Sequence, residues 1–148
     1  MAIVERTSFL PVPQDRVWAV LADFAWISLW VPEIDHSCLL TEGDPDIGTL
    51  RRIQMGRTTL VETVETWEPN FTLSYAIGGL PSLIRSVTNT WRLEPGDEGT
   101  NVTIISDVDA GPHLPQKVIA RLFGRRFGST SDEMLAGLAA RVTAAGQR

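Results

Sequence analysis

The sequence predicts an α+β chain: one strand, two short helices, six further strands and a long C-terminal helix. Three observations carry this. Short runs rich in β-branched and aromatic residues, separated by Gly/Pro turn clusters, fill residues 34–110. After Pro115 the apolar period changes to that of a helix. No repeat, low-complexity tract or linker breaks the order, so residues 1–148 are expected to form a single domain.

Residues 2–10, AIVERTSFL, read as the first strand, because Ile3 and Val4 suit a pleated surface. Pro11 and Pro13 end it, since proline cannot donate to a ladder. Pro13 can open a helix, with Asp15 near its positive end. Val17, Leu21 and Phe24 then recur at helical spacing, and Trp18 widens their face. A second short helix or turn, AWISLWV, stops at Pro32.

The six strands are expected at Ile34–Glu42, Thr49–Met55, Thr58–Trp67, Phe71–Ile77, Leu83–Leu93 and Asn101–Ala110. Turn residues separate them: the cluster from Gly43 to Gly48, Gly56-Arg57, Pro69-Asn70, the loop Gly78 to Pro81, and Pro95 to Gly99. Joins this short argue for an antiparallel meander, seven strands in all with the first. In the tail, Val118, Leu122, Met134, Leu135, Leu138 and Val142 form one apolar stripe, weakened at Gly124 and Gly128. That stripe and one face of the sheet can cover each other.

Composition excludes some partners. The net charge is −5 and the pI about 5.0, which disfavours nucleic-acid binding by phosphate neutralisation. Lys117 is the one lysine among thirteen basic residues. Cys38 is the single cysteine, so no internal disulfide forms. The start MAIVERTSF lacks the apolar core of a signal peptide, and no run reaches the ~18 apolar residues of a membrane span. A cytoplasmic location is the expectation.

No catalytic motif stands out. His36, His113 and Cys38 have no metal-ligand spacing, and neither a phosphate-binding glycine loop nor a nucleophile elbow is present, so neither a metal nor a cofactor is expected. Asp35-His36 is the best acid/base pair by residue type, yet adjacent strand residues point to opposite faces. Surface positions at a strand start are the alternative. Asp107 and Asp109 lie opposite the apolar set Val102, Ile104 and Val108 and read as solvent-facing. Arg121, Arg125 and Arg126 are either an anion-greeting cluster or the solvated side of a helix.

Alternation sorts the strand residues by face. In Leu83–Leu93 the more apolar set holds Arg85, Val87, Asn89 and Trp91, so these should face the helix. Arg85 and Asn89 would then need partners, unless both sit at a solvated rim. Trp26 and Trp30 could close one end of the interior and Phe123 and Phe127 the other; plain core packing is the competing reading. The glycines of the 78–81 loop either hinge a lid or make a plain turn.

The residues VPQDRVWAVLADFAWISLWVPEI, the Trp30/Pro32 pair before a strand, Gly48, VETVETWEPN and the late helix EMLAGLAARV follow a familiar order. Together they resemble bacterial START-like (SRPBCC superfamily) proteins of the polyketide cyclase/dehydrase and lipid-transport type, over nearly the whole chain. The resemblance implies the helix-grip fold, in which the sheet curls around the C-terminal helix and leaves a cavity. It also implies a hydrophobic small molecule as partner: a lipid, a fatty acid or an aromatic polyketide. Plant abscisic-acid receptors have a similar stretch with a glutamate turned into the cavity, and Glu62 matches it. Leu60 would then line the wall, with Trp67 in the opposite set. By the same comparison Arg51, Ile53 and Met55 would face in and Arg52 and Gln54 out, and Arg51 could pair with Glu62. Fold does not choose among functions. A carrier, a cyclase or dehydratase using Glu62 or His36 as base with Arg51 or Arg85 steadying an enolate, and a stress-associated interaction module without ligand all remain open, as do monomer and dimer.

Overall fold

The computed structural model describes residues 2–80, 84–109 and 130–143. The order is β1 (Ala2–Leu10), α1 (Gln14–Ala22), a 3-10 segment (Phe24–Leu29), β2 (His36–Leu39), β3 (Leu50–Met55), β4 (Thr58–Glu68), β5 (Thr72–Gly78), β6 (Ser86–Gly96) and β7 (Gly99–Asp109). A helix over 130–143, here α2, completes the described chain. The seven strands make one curved antiparallel sheet in the order β1-β7-β6-β5-β4-β3-β2. The meander thus runs from β2 to β7, and β1 closes the far side by pairing along its length with β7. This is the α+β, helix-grip class that the sequence predicts.

One face of the sheet carries the core. On β7 the residues Thr100, Val102, Ile104, Ser106 and Val108 are buried, alternating with half-buried neighbours. α1 covers this side with Val17, Trp18 and Leu21. α2 covers it with Met134, Leu135, Leu138 and Val142, the described part of the expected stripe, whose other members Val118 and Leu122 lie outside the described residues. α2 approaches very closely at one point. A Cβ on Gly137 would collide with the Trp30 carbonyl oxygen, so only glycine allows the helix to lie there.

Several boundaries differ from expectation. β2 is four residues long instead of nine, because Ile34 is already buried in the preceding loop, where its N–H bonds the Val31 carbonyl. β6 begins at Ser86 and runs on through Pro95 to Gly96, and β7 begins at Gly99, a tight hairpin with Glu98 at φ +60°. Pro95 is tolerated because β5 has ended at the Thr72–Arg92 pair, leaving β6 a single neighbour there. The segment after α1 is 3-10 and kinked at Trp26, and Trp26 is 53% exposed rather than closing the interior. β4 bulges between Val64 and Thr66. The extra residue flips the face of the residues beyond it, so Trp67 turns inward with Leu60 and Glu62 and packs edge-on against Trp18 at 5.1 Å and Phe24 at 6.4 Å.

Candidate functional site

β3 and β4 pair so that Arg51 stands opposite Glu62 and Ile53 opposite Leu60. All four point to the side covered by the helices and are buried. Arg51 is 2% exposed and Glu62 3%, an unusual depth for two charges. Such burial persists only when the charges are paired and hydrogen-bonded. Here Arg51 Nε donates to Glu62 Oε1 at 2.8 Å, and Nη2 donates to the same oxygen. Nη1 donates to the Phe24 carbonyl at 3.0 Å, tying β3 to the 3-10 segment. The guanidinium also lies over the Phe24 ring at 3.6 Å and the Tyr75 ring at 4.9 Å. Flat aromatic faces suit a delocalised cation withdrawn from water.

Polar groups continue across the sheet. Tyr75 of β5 is in register with Asn89 of β6, and Asn89 with Ser106 of β7. All three are buried. Ser106 Oγ donates to Asn89 Oδ1 at 2.7 Å, and the Trp91 indole donates to the Tyr75 hydroxyl at 3.3 Å. Buried polar groups therefore cross the sheet from Arg51 and Glu62 on β3 and β4 through Tyr75 and Asn89 to Ser106, within an apolar wall that includes Ile53, Leu60, Val64, Val87 and Trp91.

The electrostatics follow from depth. Burial pushes the Glu62 carboxyl above its ordinary value, and Arg51, by charge and hydrogen bond, offsets part of that. Burial pushes the Tyr75 phenol up, the Glu62 charge adds to it, and Arg51 with the Trp91 and Asn89 side chains opposes it. Tyr75 is thus a neutral phenol at ordinary pH.

Trp30 packs edge-on against Trp91 with ring centroids 5.9 Å apart. It is 7% exposed, and its Nε1 is buried without a hydrogen-bond partner. Native interiors rarely leave a donor unspent.

The remaining candidates scatter. Val87 and Trp91 are buried on the same side, and Met55 is half-buried against the core. Arg85 is exposed just before β6 instead of facing the interior, because the strand starts after it and leaves the charge in water. His36 is exposed and opposite Gln54, on the other face from Glu62, so the two cannot serve one substrate. Asp35 instead accepts the Gly56 N–H at 2.8 Å and braces the β3–β4 turn. Phe123, Phe127, His113 and the arginines at 121, 125 and 126 lie outside the described residues. Tyr75 and Ser106 join the site without having been expected there. The signals are present: Tyr75 shares the parity of Leu73 and Ile77, and Ser106 fills the gap between Ile104 and Val108. Among the described residues no cluster of three or more His, Cys, Asp or Glu is placed to hold a metal, and no helix is long and apolar enough to cross a membrane.

Known proteins share this fold. The family described as polyketide cyclase / dehydrase and lipid transport matches residues 1–143. Among curated proteins none matches. Similar solved structures include TTHA0849 from Thermus thermophilus, at 20% identity and TM-score 0.76, covering 97% of this chain and 99% of that one. The Zhui aromatase/cyclase from Streptomyces sp. R1128 is similar at 19% identity and TM-score 0.78, with 96% and 93% covered. The di-domain ARO/CYC StfQ from the steffimycin biosynthetic pathway aligns over 99% of this chain and 52% of its own, at 16% identity and TM-score 0.82. At these identities the likeness speaks for the fold alone.

Proposed function

Because the chain belongs to the polyketide cyclase/dehydrase and lipid-transport family, we propose that it binds and carries a hydrophobic small molecule between the sheet and α2, with residues 1–148 acting as one ligand-binding domain in the cytoplasm. The observation that carries this reading is the buried row from Glu62 to Ser106 set in an apolar wall. Ligand sites are mostly apolar with a few placed polar groups. In this reading Trp30, Ile53, Met55, Leu60, Val87, Asn89 and Trp91 contact the ligand, and Arg51 and Glu62 stiffen the wall behind it. Two similar structures are described as aromatase/cyclases. A flat aromatic polyketide therefore joins lipids as a ligand class.

Catalysis is the second reading, and one observation favours it: Glu62 and Tyr75 are buried together with both values pushed up, as acid/base groups often are. Against it, the nitrogens of Arg51 are engaged by Glu62 and Phe24, and Arg85 and His36 lie away from the row. Carriage leaves Arg51 its structural role.

Native mass spectrometry of the purified chain tests the proposal. A small-molecule mass that co-purifies and is released on unfolding is the expected result. A clean apo mass, with no thermal shift from any lipid or aromatic polyketide added, would point to an interaction module with a filled core. Turnover of an added polyketide into a cyclised product would favour the enzyme.

A further inference from the structure

We infer that this site selects an uncharged ligand bearing a hydrogen-bond acceptor, such as a ketone, ester or amide oxygen on a flat apolar body, and that the Trp30 indole N–H receives that acceptor. The inference rests on the carriage reading and narrows its ligand class.

The charge inventory is the first ground. Arg51 is the buried cation of the helix-facing side among the described residues. Each of its three nitrogens already donates within the protein, and Glu62 balances its charge. Arg85 is exposed, and Arg6 pairs with Asp132 at 3.4 Å where both side chains are largely open to water. A carboxylate entering this side would lose its hydration and meet no unspent cation, which is costly.

The donor inventory is the second. The Trp91 indole is spent on Tyr75, the Ser106 hydroxyl on Asn89 and the Thr100 hydroxyl on the Val12 carbonyl. The other buried side-chain atom without a partner, Asp107 Oδ1, lies on the outer face, since Ser106 and Val108 flank it inward. Trp30 Nε1 is left as the buried side-chain nitrogen of the inner side with no partner at all, among the described residues. A neutral acceptor would relieve it, and leaving such a donor bare is what carries the cost. The edge-on Trp30–Trp91 pair sets two buried aromatic rings beside that donor.

Three probes of one size separate the possibilities: 2-acetylnaphthalene, 2-naphthoate and 2-ethylnaphthalene, titrated against the full chain by calorimetry. The ketone is expected to bind tightest, with the carboxylate and the hydrocarbon each weaker by about tenfold. In Trp30→Phe the advantage of the ketone over the hydrocarbon should disappear. In Glu62→Gln, which leaves Arg51 uncompensated, 2-naphthoate should overtake the ketone; if circular dichroism shows that variant unfolded, the Trp30→Phe ratio decides. Tightest binding of 2-naphthoate by the unaltered protein, or a ketone advantage that survives Trp30→Phe, overturns the inference and leaves carriage standing. No binding of any probe together with a clean apo mass overturns both. A co-purified carboxylic acid overturns the inference alone.

Discussion

Arg51 and Arg52 are adjacent in β3, yet they inhabit different worlds. Arg51 points under the helices, 2% exposed, with its three nitrogens bound to Glu62 and the Phe24 carbonyl. Arg52 points outward, where its Nη2 donates to Gln54 Oε1 at 2.9 Å and reaches Thr59 Oγ1 at 3.5 Å. Gln54 Oε1 also accepts from Thr59 Oγ1, at 2.6 Å. The residue type is the same and both are hydrogen-bonded. What differs is the solvent. On the outer face water can replace every lost partner, so the network contributes little. On the inner face nothing replaces Glu62, so the pair holds because neither member can leave alone.

Removing one member of the buried pair should have the largest effect. Arg51→Met leaves Glu62 buried without its counter-charge and is expected to cost about 3–5 kcal/mol at neutral pH, read by urea unfolding. The double variant Arg51→Met/Glu62→Leu should recover most of that loss, because two apolar residues of similar volume need no partners. No recovery would mean that the pair acts through shape instead of charge.

Tyr75→Phe comes next. It strips the acceptor from the Trp91 indole and should cost about 1–3 kcal/mol in the same measurement. A neutral result would separate the Tyr75–Asn89–Ser106 part of the row from the ion pair.

The pH dependence is smaller but has a definite sign. The Glu62 carboxyl sits above its ordinary value of 4.5 in the folded state, so the native protein holds that proton more tightly than the unfolded chain. Its contribution is fully present below pH 4.5 and is lost as pH rises through the native value. The stability of the protein relative to Glu62→Gln should therefore decline on going up in pH from 4.5, and a rise would show that the attraction of Arg51 outweighs desolvation. The least effect belongs to Arg52→Ala, which should stay within about 0.5 kcal/mol of the unaltered protein.

The contrast between the two arginines also marks how far the sequence can be read. Parity alone splits a tandem pair across two faces without saying which goes in. The resemblance to a receptor glutamate supplies the direction, and the burial of Arg51 and Glu62, paired in register, agrees with it. The fold class is legible because it rests on many turn clusters at once. Val87, Asn89 and Trp91 share a buried side as alternation requires. Simple alternation puts Trp67 on the wrong side because the bulge after Val64 leaves no compositional trace. It draws Arg85 inward from a strand start at Leu83, when the ladder begins at Ser86. Tyr75 and Ser106 become informative only beside Asn89, and that adjacency belongs to the register between strands, which one sequence does not display.

Gly137 gives the architecture an adjustable part. Since a single methyl there would strike the Trp30 carbonyl, residue 137 works as a spacer set to its thinnest gauge. Alanine or serine would act as a shim, lifting α2 off the loop that follows the 3-10 segment. The height of the helix over the sheet is thus set at one position, by the absence of one methyl group.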